Sequence, residues 1–181
     1  MGEDAYKIAI LGTGGVGKTC IVLRLTRSKF DPEYVPTIQD FFEKQLVLDS
    51  KSYTLNIIDT AGQEEMGPIT DIAIKEAQAF IIVYSVKSMI SFQETEKFYN
   101  KIKTLNNTPK IVLCGNMCDV PAEERSVTES QGTTQAAKWN CKFFETSAKD
   151  DVNINEAFIA ALKLLIPSTQ QANNNSCCVI A

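Results

Sequence analysis

The chain has 181 residues, of which 44% are hydrophobic and 22% are charged, and its formal net charge is -4 at neutral pH. These values are ordinary for one globular domain with a sizeable core, and the negative charge argues against a nucleic-acid binder. The sequence contains no histidine, which removes His-dependent acid–base chemistry and His metal ligands. Because its cysteines form no C-x-x-C pair, we expect reduced thiols rather than a disulfide framework.

Strand-like and helical patterns alternate along the chain. The predicted strands are Lys7–Leu11, Phe41–Leu48, Tyr53–Ile58, Ala79–Ser85, Lys110–Cys114 and Lys142–Glu145. The predicted helices are Lys18–Ser28, Ser88–Leu105, Thr128–Trp139 and Asn153–Ile166. Asp49–Ser52 is predicted to be a tight hairpin turn, which places one antiparallel strand at a sheet edge. The alternation predicts an α/β fold with a mostly parallel sheet, covered by helices on both faces, whose ligands bind at the carboxyl ends of the strands.

A glycine-rich segment follows the first predicted strand and opens the first predicted helix. It reads Gly12-Thr13-Gly14-Gly15-Val16-Gly17-Lys18-Thr19 and fits G-x-x-x-x-G-K-[ST]. Backbone N–H groups of such a loop, together with the helix N-terminus, cradle phosphate oxygens. The pattern predicts that Lys18 reaches the outer phosphates and that the Thr19 hydroxyl can ligate Mg²⁺.

Three more motifs follow predicted strands. The segment Asp59-Thr60-Ala61-Gly62-Gln63-Glu64 offers a carboxylate for Mg²⁺, a glycine N–H for a terminal phosphate and a glutamine that can orient a water. In Asn116-Met117-Cys118-Asp119, the Asp119 carboxylate can accept two hydrogens from guanine, which adenine does not offer in that arrangement. In Ser147-Ala148-Lys149, the Ala148 N–H can meet guanine O6.

These motifs, in this order over about residues 5–166, resemble the Ras superfamily of small GTP-binding proteins, with Thr37–Phe42 closest to the Ras subfamily. The resemblance implies a P-loop NTPase-type three-layer sandwich with a six-stranded sheet and about five helices. It implies a monomeric domain, 1–166, that binds GTP and GDP with Mg²⁺ and hydrolyses GTP slowly as a signalling switch.

The resemblance also assigns roles to individual residues. Thr37 would ligate Mg²⁺ and the γ-phosphate in the GTP state, Gln63 would act in catalysis with Lys18 and Thr37, and Phe30 would pack on the guanine face. Thr19, Thr37 and Asp59 form the implied metal site. The implied nucleotide contacts include Gly14, Gly15, Val16, Gly17, Lys18, Thr19, Cys20, Phe30, Tyr34, Thr37, Gly62, Asn116, Met117, Asp119, Ser147, Ala148 and Lys149.

The implied partners are an exchange factor, a GTPase-activating protein and an effector with a Ras-binding-type domain. Because the segment Phe30–Phe42 contains no arginine, we expect slow intrinsic hydrolysis and acceleration by a partner that enters beside Gly14 and Gly15.

The last four residues, Cys178-Val179-Ile180-Ala181, form a C-a-a-X box whose final alanine favours farnesylation. The uncharged tail 167–181 is expected to be a disordered tether. Since one lipid is rarely a stable anchor, Cys177 is the candidate for a second acyl chain. A cytosolic pool or a solubilising partner is the alternative to that second chain. We expect the protein at the cytoplasmic face of the plasma membrane, with a cytosolic pool.

One departure from the family pattern leaves alternatives open. The base motif normally reads N-K-x-D, and here Met117 replaces the lysine. Met117 keeps an apolar contact but has no donor, which predicts faster nucleotide release. A fast-exchanging or hydrolysis-poor binding module is therefore one alternative. An ATP-using P-loop enzyme is a separate alternative, against which Asp119 and Ser147-Ala148-Lys149 argue. Glu123-Glu124-Arg125 is predicted to be an exposed loop, and Trp139 a packing residue at a helix end.

Overall fold

A computed structural model describes residues 5–31, 39–60 and 67–166. The strands are β1 (Ala5–Leu11), β2 (Gln39–Leu48), β3 (Lys51–Thr60), β4 (Ala79–Ser85), β5 (Ile111–Asn116) and β6 (Lys142–Thr146). The helices are α1 (Lys18–Arg27), α2 (Pro68–Glu76), α3 (Met89–Leu105), α4 (Glu129–Trp139) and α5 (Ile154–Leu165), with a 3-10 helix at Ala122–Glu124. No helix in this described part of the chain combines the length and apolar character that crossing a bilayer requires.

The strands form one six-stranded sheet in the order β2-β3-β1-β4-β5-β6. Strand β2 pairs with β3 in antiparallel register, and every other pair is parallel. This topology confirms the predicted mostly parallel sheet with one antiparallel edge strand. The hairpin turn is tighter than predicted, because β2 ends at Leu48 and β3 begins at Lys51. Asp49 and Ser50 both adopt positive φ, 50° and 63°, as two-residue hairpin turns require.

The core lies on both faces of the sheet because side chains alternate along each strand. In β4, Ile81 and Val83 join the core cluster under α1 and α5. Phe80, Ile82 and Tyr84 join the cluster under α2, α3 and α4. Each large apolar side chain buried in this way contributes about 1.5–3 kcal/mol, so the two clusters hold the strand ends in fixed positions.

Helix α2 is absent from the sequence-based assignment. It begins at Pro68 directly after Gly67. Proline suits the first helical position, because its missing N–H would have no intrahelical partner there and its fixed φ is already helical. One face of the helix packs against the core, and its buried residues are Thr70, Ala73 and Ile74.

The prediction of an exposed loop at Glu123–Arg125 is wrong for Arg125. The guanidinium of Arg125 pairs with the Glu145 carboxylate on β6, and its Nε donates to the Val127 carbonyl at 2.8 Å. Both side chains of the ion pair are largely buried. Trp139, by contrast, packs at the end of α4 as predicted, with its indole stacked on the Tyr99 ring at 4.4 Å.

Candidate functional site

The loop between β1 and α1 has a backbone that only glycine adopts easily. Gly12 has φ 147° and Gly17 has φ 88°. A Cβ on Gly12 would collide with the Val83 carbonyl oxygen, and one on Gly17 would collide with the Asn116 amide nitrogen. At Gly15, with φ 76°, an added Cβ would meet no atom of the described residues within 4 Å. Two of these glycines are therefore required by close approach as well as by conformation.

Lys18 is the first residue of α1, and its side chain folds back over the loop. Its Nζ donates to the carbonyl oxygens of Gly12 at 2.7 Å and Thr13 at 2.8 Å. The residue is only 6% exposed, so the ammonium is largely out of water. A desolvated cation held at the loop attracts phosphate more strongly than one in solvent.

Thr19 and Asp59 meet beside this loop, from the start of α1 and the end of β3. The Thr19 hydroxyl donates to Asp59 Oδ2 at 2.6 Å. Asp59 is fully buried, and its other oxygen, Oδ1, has no hydrogen-bond partner among the described residues. Burial raises the pKa of Asp59 to about 6, although the Thr19 hydroxyl and the Lys18 ammonium both lower it. A hydroxyl beside a buried carboxylate with an unused acceptor oxygen fits a small divalent cation such as Mg²⁺, which prefers oxygen ligands.

Asn116, the last residue of β5, connects the glycine loop to β6. Its Nδ2 donates to the Val16 carbonyl at 2.8 Å, and its Oδ1 accepts from Thr146 Oγ1 at 3.2 Å. The residue is 2% exposed. Its side chain therefore holds the phosphate loop and the base motif together, a structural function that the motif alone does not reveal.

Asp119 is oriented by the loop that follows β6. Its Oδ1 accepts from the Ser147 hydroxyl at 2.7 Å, and its Oδ2 lies 3.8 Å from Lys149 Nζ. Both contacts to the Asp119 carboxylate therefore come from the loop after β6. The two motifs that the sequence places 28 residues apart are brought together here.

Arg24 on α1 supports the same loop and was not identified from the sequence. Its guanidinium donates to the carbonyls of Ala148 at 2.7 Å and Lys149 at 2.8 Å. Those partners are 124 and 125 residues away along the chain, so no local pattern could have indicated them.

Met117 adopts a left-handed backbone conformation with φ 66°. Its thioether sulfur accepts a hydrogen bond from the Ser85 hydroxyl at 3.2 Å. Its terminal methyl lies 3.7 Å from where a Cβ on Gly17 would stand. The side chain therefore lies between the glycine loop and the end of β4.

The other predicted site residues are distributed around this centre. Val16 and Ala148 are buried, Gly14 and Gly15 are exposed, and Phe30 follows α1 with 38% of its surface exposed. The half-buried Cys20 thiol donates to the Asp31 carbonyl at 3.6 Å, and burial raises its pKa. Tyr34, Thr37, Gly62, Gln63, Cys177 and Cys178 lie outside the described residues.

The strand–loop–helix unit of β1 and α1, with its buried lysine and hydroxyl–carboxylate pair, defines a P-loop nucleotide-binding protein. Comparison with known proteins narrows the class. Residues 7–166 match the model of the Ras family, and the chain belongs to that family.

Two curated relatives agree with this assignment. The Ras-like protein rasS of Dictyostelium discoideum is 38% identical over 174 residues, covering 94% of this chain and 88% of the relative. The Ras-like protein 2 of Mucor circinelloides f. lusitanicus is 38% identical over 169 residues, covering 92% and 84%. The chain is accordingly a small GTPase that binds GTP and GDP, hydrolyses GTP and serves in signalling, which confirms the predicted family, fold and enzyme class.

Proposed function

We propose that this Ras-family GTPase is a Mg²⁺-dependent membrane switch. An activating partner accelerates its hydrolysis, and its GTP state binds effectors through the segment around Thr37. The pair formed by Thr19 and Asp59 supports this proposal most directly, because it offers an unused, buried carboxylate oxygen beside a hydroxyl, the ligand type that Mg²⁺ prefers. Thr19, Thr37 and Asp59 would hold the ion, which when bound would neutralise phosphate charge.

Hydrolysis needs a positioned water and stabilisation of the transferring phosphoryl group. Gln63 would orient a water oxygen toward the γ-phosphorus, while Lys18 binds the outer phosphate oxygens. The new bond joins the water oxygen to the γ-phosphorus, and the bond from the γ-phosphorus to the β–γ bridging oxygen breaks. GDP and inorganic phosphate are the products.

An arginine from another protein would complete this site. Arg24 on α1 does not fill this role, because its guanidinium donates to the carbonyls of Ala148 and Lys149. Gly14 and Gly15 are exposed, and no described residue lies within 4 Å of where a Cβ on Gly15 would stand. A partner's guanidinium approaching over these glycines would stabilise charge on the γ-phosphate. Without that guanidinium, we expect the protein alone to hydrolyse GTP slowly.

Replacing Gln63 tests the catalytic part of the proposal. Gln63→Leu removes the groups that orient the water but leaves the phosphate loop and the base motifs intact. We expect single-turnover GTP hydrolysis to fall by about two or more orders of magnitude, with GDP affinity within about twofold of wild type. Rapid hydrolysis by the unassisted wild-type protein would contradict the requirement for a partner.

The edge of the sheet supports effector binding by strand addition. Among the described strands, β2 is paired with β3 alone, and Phe41 on β2 is 69% exposed. An extended segment of an effector could pair with the open side of this strand. Which effector binds is determined by side chains such as Phe41 rather than by the shared fold.

In this proposal the chain consists of a GTP-binding domain, 1–166, and a tether, 167–181, that attaches the domain to the membrane. Farnesylation at Cys178 and acylation at Cys177 would together anchor the protein at the cytoplasmic face of the plasma membrane, with a cytosolic pool. Cys178→Ser should abolish lipid incorporation and move the protein to the soluble fraction. Unchanged membrane association of this variant would contradict the proposed anchor.

A second candidate function follows from Met117. A base site without the usual lysine ammonium favours a fast-exchanging or hydrolysis-poor GTP-binding module, loaded by the cellular nucleotide pool rather than by an exchange factor. The rates of nucleotide release and of single-turnover hydrolysis distinguish this module from the regulated switch.

A further inference from the structure

We propose that Ser85 is a positioning residue for nucleotide binding that acts through Met117. The inference rests on the proposed function, because it requires Met117 to lie against the bound base. Ser85 is the last residue of β4, is 5% exposed, and pairs in register with Asn116 on β5. The strand end therefore brings the Ser85 hydroxyl next to the base motif.

The Ser85 hydroxyl is directed at the Met117 sulfur. A hydroxyl has one hydrogen to donate and two lone pairs. The backbone N–H of Lys87 donates to Ser85 Oγ at 3.2 Å, and Ser85 Oγ donates to Met117 Sδ at 3.2 Å. The N–H bond occupies a lone pair, which leaves the hydroxyl hydrogen for the sulfur.

Met117 needs such a bond because its side chain is flexible and one side of it is open. Methionine has three rotatable side-chain bonds and no strong polar group. A cavity of 720 Å³ lies between the glycine loop and the start of α3, and Met117, Ser85, Gly14 and Ile90 are among the residues that line it. Without the hydroxyl, the Met117 side chain could turn into this cavity and leave the base unsupported.

Ser85 contributes to the start of α3 in a different way, through its backbone. Its N–H donates to Ser91 Oγ at 3.0 Å, and its carbonyl accepts from Ser91 Oγ at 3.3 Å. The helix cap itself is Ser88, whose hydroxyl accepts from the Ser91 N–H. Ser85→Ala keeps all of these bonds, so the role of the hydroxyl can be tested separately.

A double-mutant cycle on nucleotide release tests the inference. Full-length wild type, Ser85→Ala, Met117→Leu and the double variant are loaded with a fluorescent GDP analogue and chased with excess GDP. We expect Ser85→Ala to release nucleotide about threefold faster when Met117 is present, as loss of one weak hydrogen bond predicts. In the Met117→Leu background, where no sulfur remains to accept the bond, Ser85→Ala should change nothing.

Ser126→Ala is the matched control, because its hydroxyl donates to the nearby Lys87 carbonyl and not to Met117. It should release nucleotide at the wild-type rate. Equal acceleration by Ser85→Ala in both backgrounds, or in neither, would overturn the inference while the proposed function stands. Failure of the wild type to load the GDP analogue would overturn both.

Discussion

Single side chains at the carboxyl ends of the strands determine what this site can bind. Asp119 receives one hydroxyl donor from Ser147, and Asp59 receives one from Thr19. Each carboxylate therefore keeps acceptor capacity for a ligand, which under the proposed function would be a base at Asp119 and a cation at Asp59. In the base motif, Met117 stands where the family pattern has a lysine, and the effect of this difference on nucleotide release can be measured.

Restoring the lysine at position 117 should slow nucleotide release. The Met117 side chain already lies along the glycine loop with the Ser85 hydroxyl beside it, so a lysine there has both room and a hydrogen-bond acceptor. A charged hydrogen bond is worth about 1.5–3 kcal/mol, which corresponds to a release rate about tenfold to a hundredfold lower. The measurement is the GDP off-rate of Met117→Lys against wild type.

Met117→Leu is the control for that comparison, since leucine keeps the apolar contact and adds no donor. Its off-rate should stay within a few-fold of wild type. An off-rate unchanged by Met117→Lys would show that the missing ammonium does not limit nucleotide retention, and the fast-exchange alternative would lose its basis.

The strands and helices were largely predictable from the sequence, because their signals are local. Strand β4 has the same bounds as predicted, and each motif begins at or directly after the end of its strand. Helix α2 was missed although Pro68 at its first position is a recognisable start. The roles of Arg24 and Arg125 could not be predicted, because their partners come from distant parts of the chain and are brought near only by the folded sheet.

The packing of α4 against the sheet depends on a glycine that helix propensity alone would not choose. A Cβ on Gly132 would stand 2.6 Å from the Tyr84 hydroxyl oxygen and would overlap the Phe143 ring. Glycine to alanine in a helix normally stabilises by about 1 kcal/mol. Here the added methyl should instead lower the free energy of unfolding by about 1–3 kcal/mol, because the core is already filled. Urea unfolding of Gly132→Ala measures the change.

Tyr84→Phe tests the cause of that destabilisation. The Tyr84 hydroxyl is buried without a hydrogen-bond partner among the described residues, so removing it should be neutral or stabilising by up to about 1 kcal/mol. In this background the penalty of Gly132→Ala should be smaller, since only the Phe143 ring remains in the way. Identical penalties in both backgrounds would contradict the proposed steric conflict with the hydroxyl.

At the scale of the whole molecule, the proposed ligand-binding groups lie together at the carboxyl ends of β1, β3, β5 and β6. Asn116 and Arg24 link these elements through bonds that span about a hundred residues of chain. A nucleotide bound there would contact both halves of the sheet at once. Nucleotide binding should therefore raise the free energy of unfolding of the entire domain.

Guanine nucleotide should raise the melting temperature, and adenine nucleotide should not. Protein stripped of nucleotide with EDTA is returned to Mg²⁺ buffer with GDP or ADP at the same concentration. A ligand at a hundred times its Kd stabilises by about 2.7 kcal/mol, or about 5–10 °C for a chain of this size. ADP does not offer the two N–H donors that guanine would give to the Asp119 carboxylate, and it should give almost no shift. Asp119→Ala should lose most of the GDP shift, measured from the variant's own melting temperature without ligand. An equal shift by ADP would contradict the assignment of Asp119 as the group that selects the base.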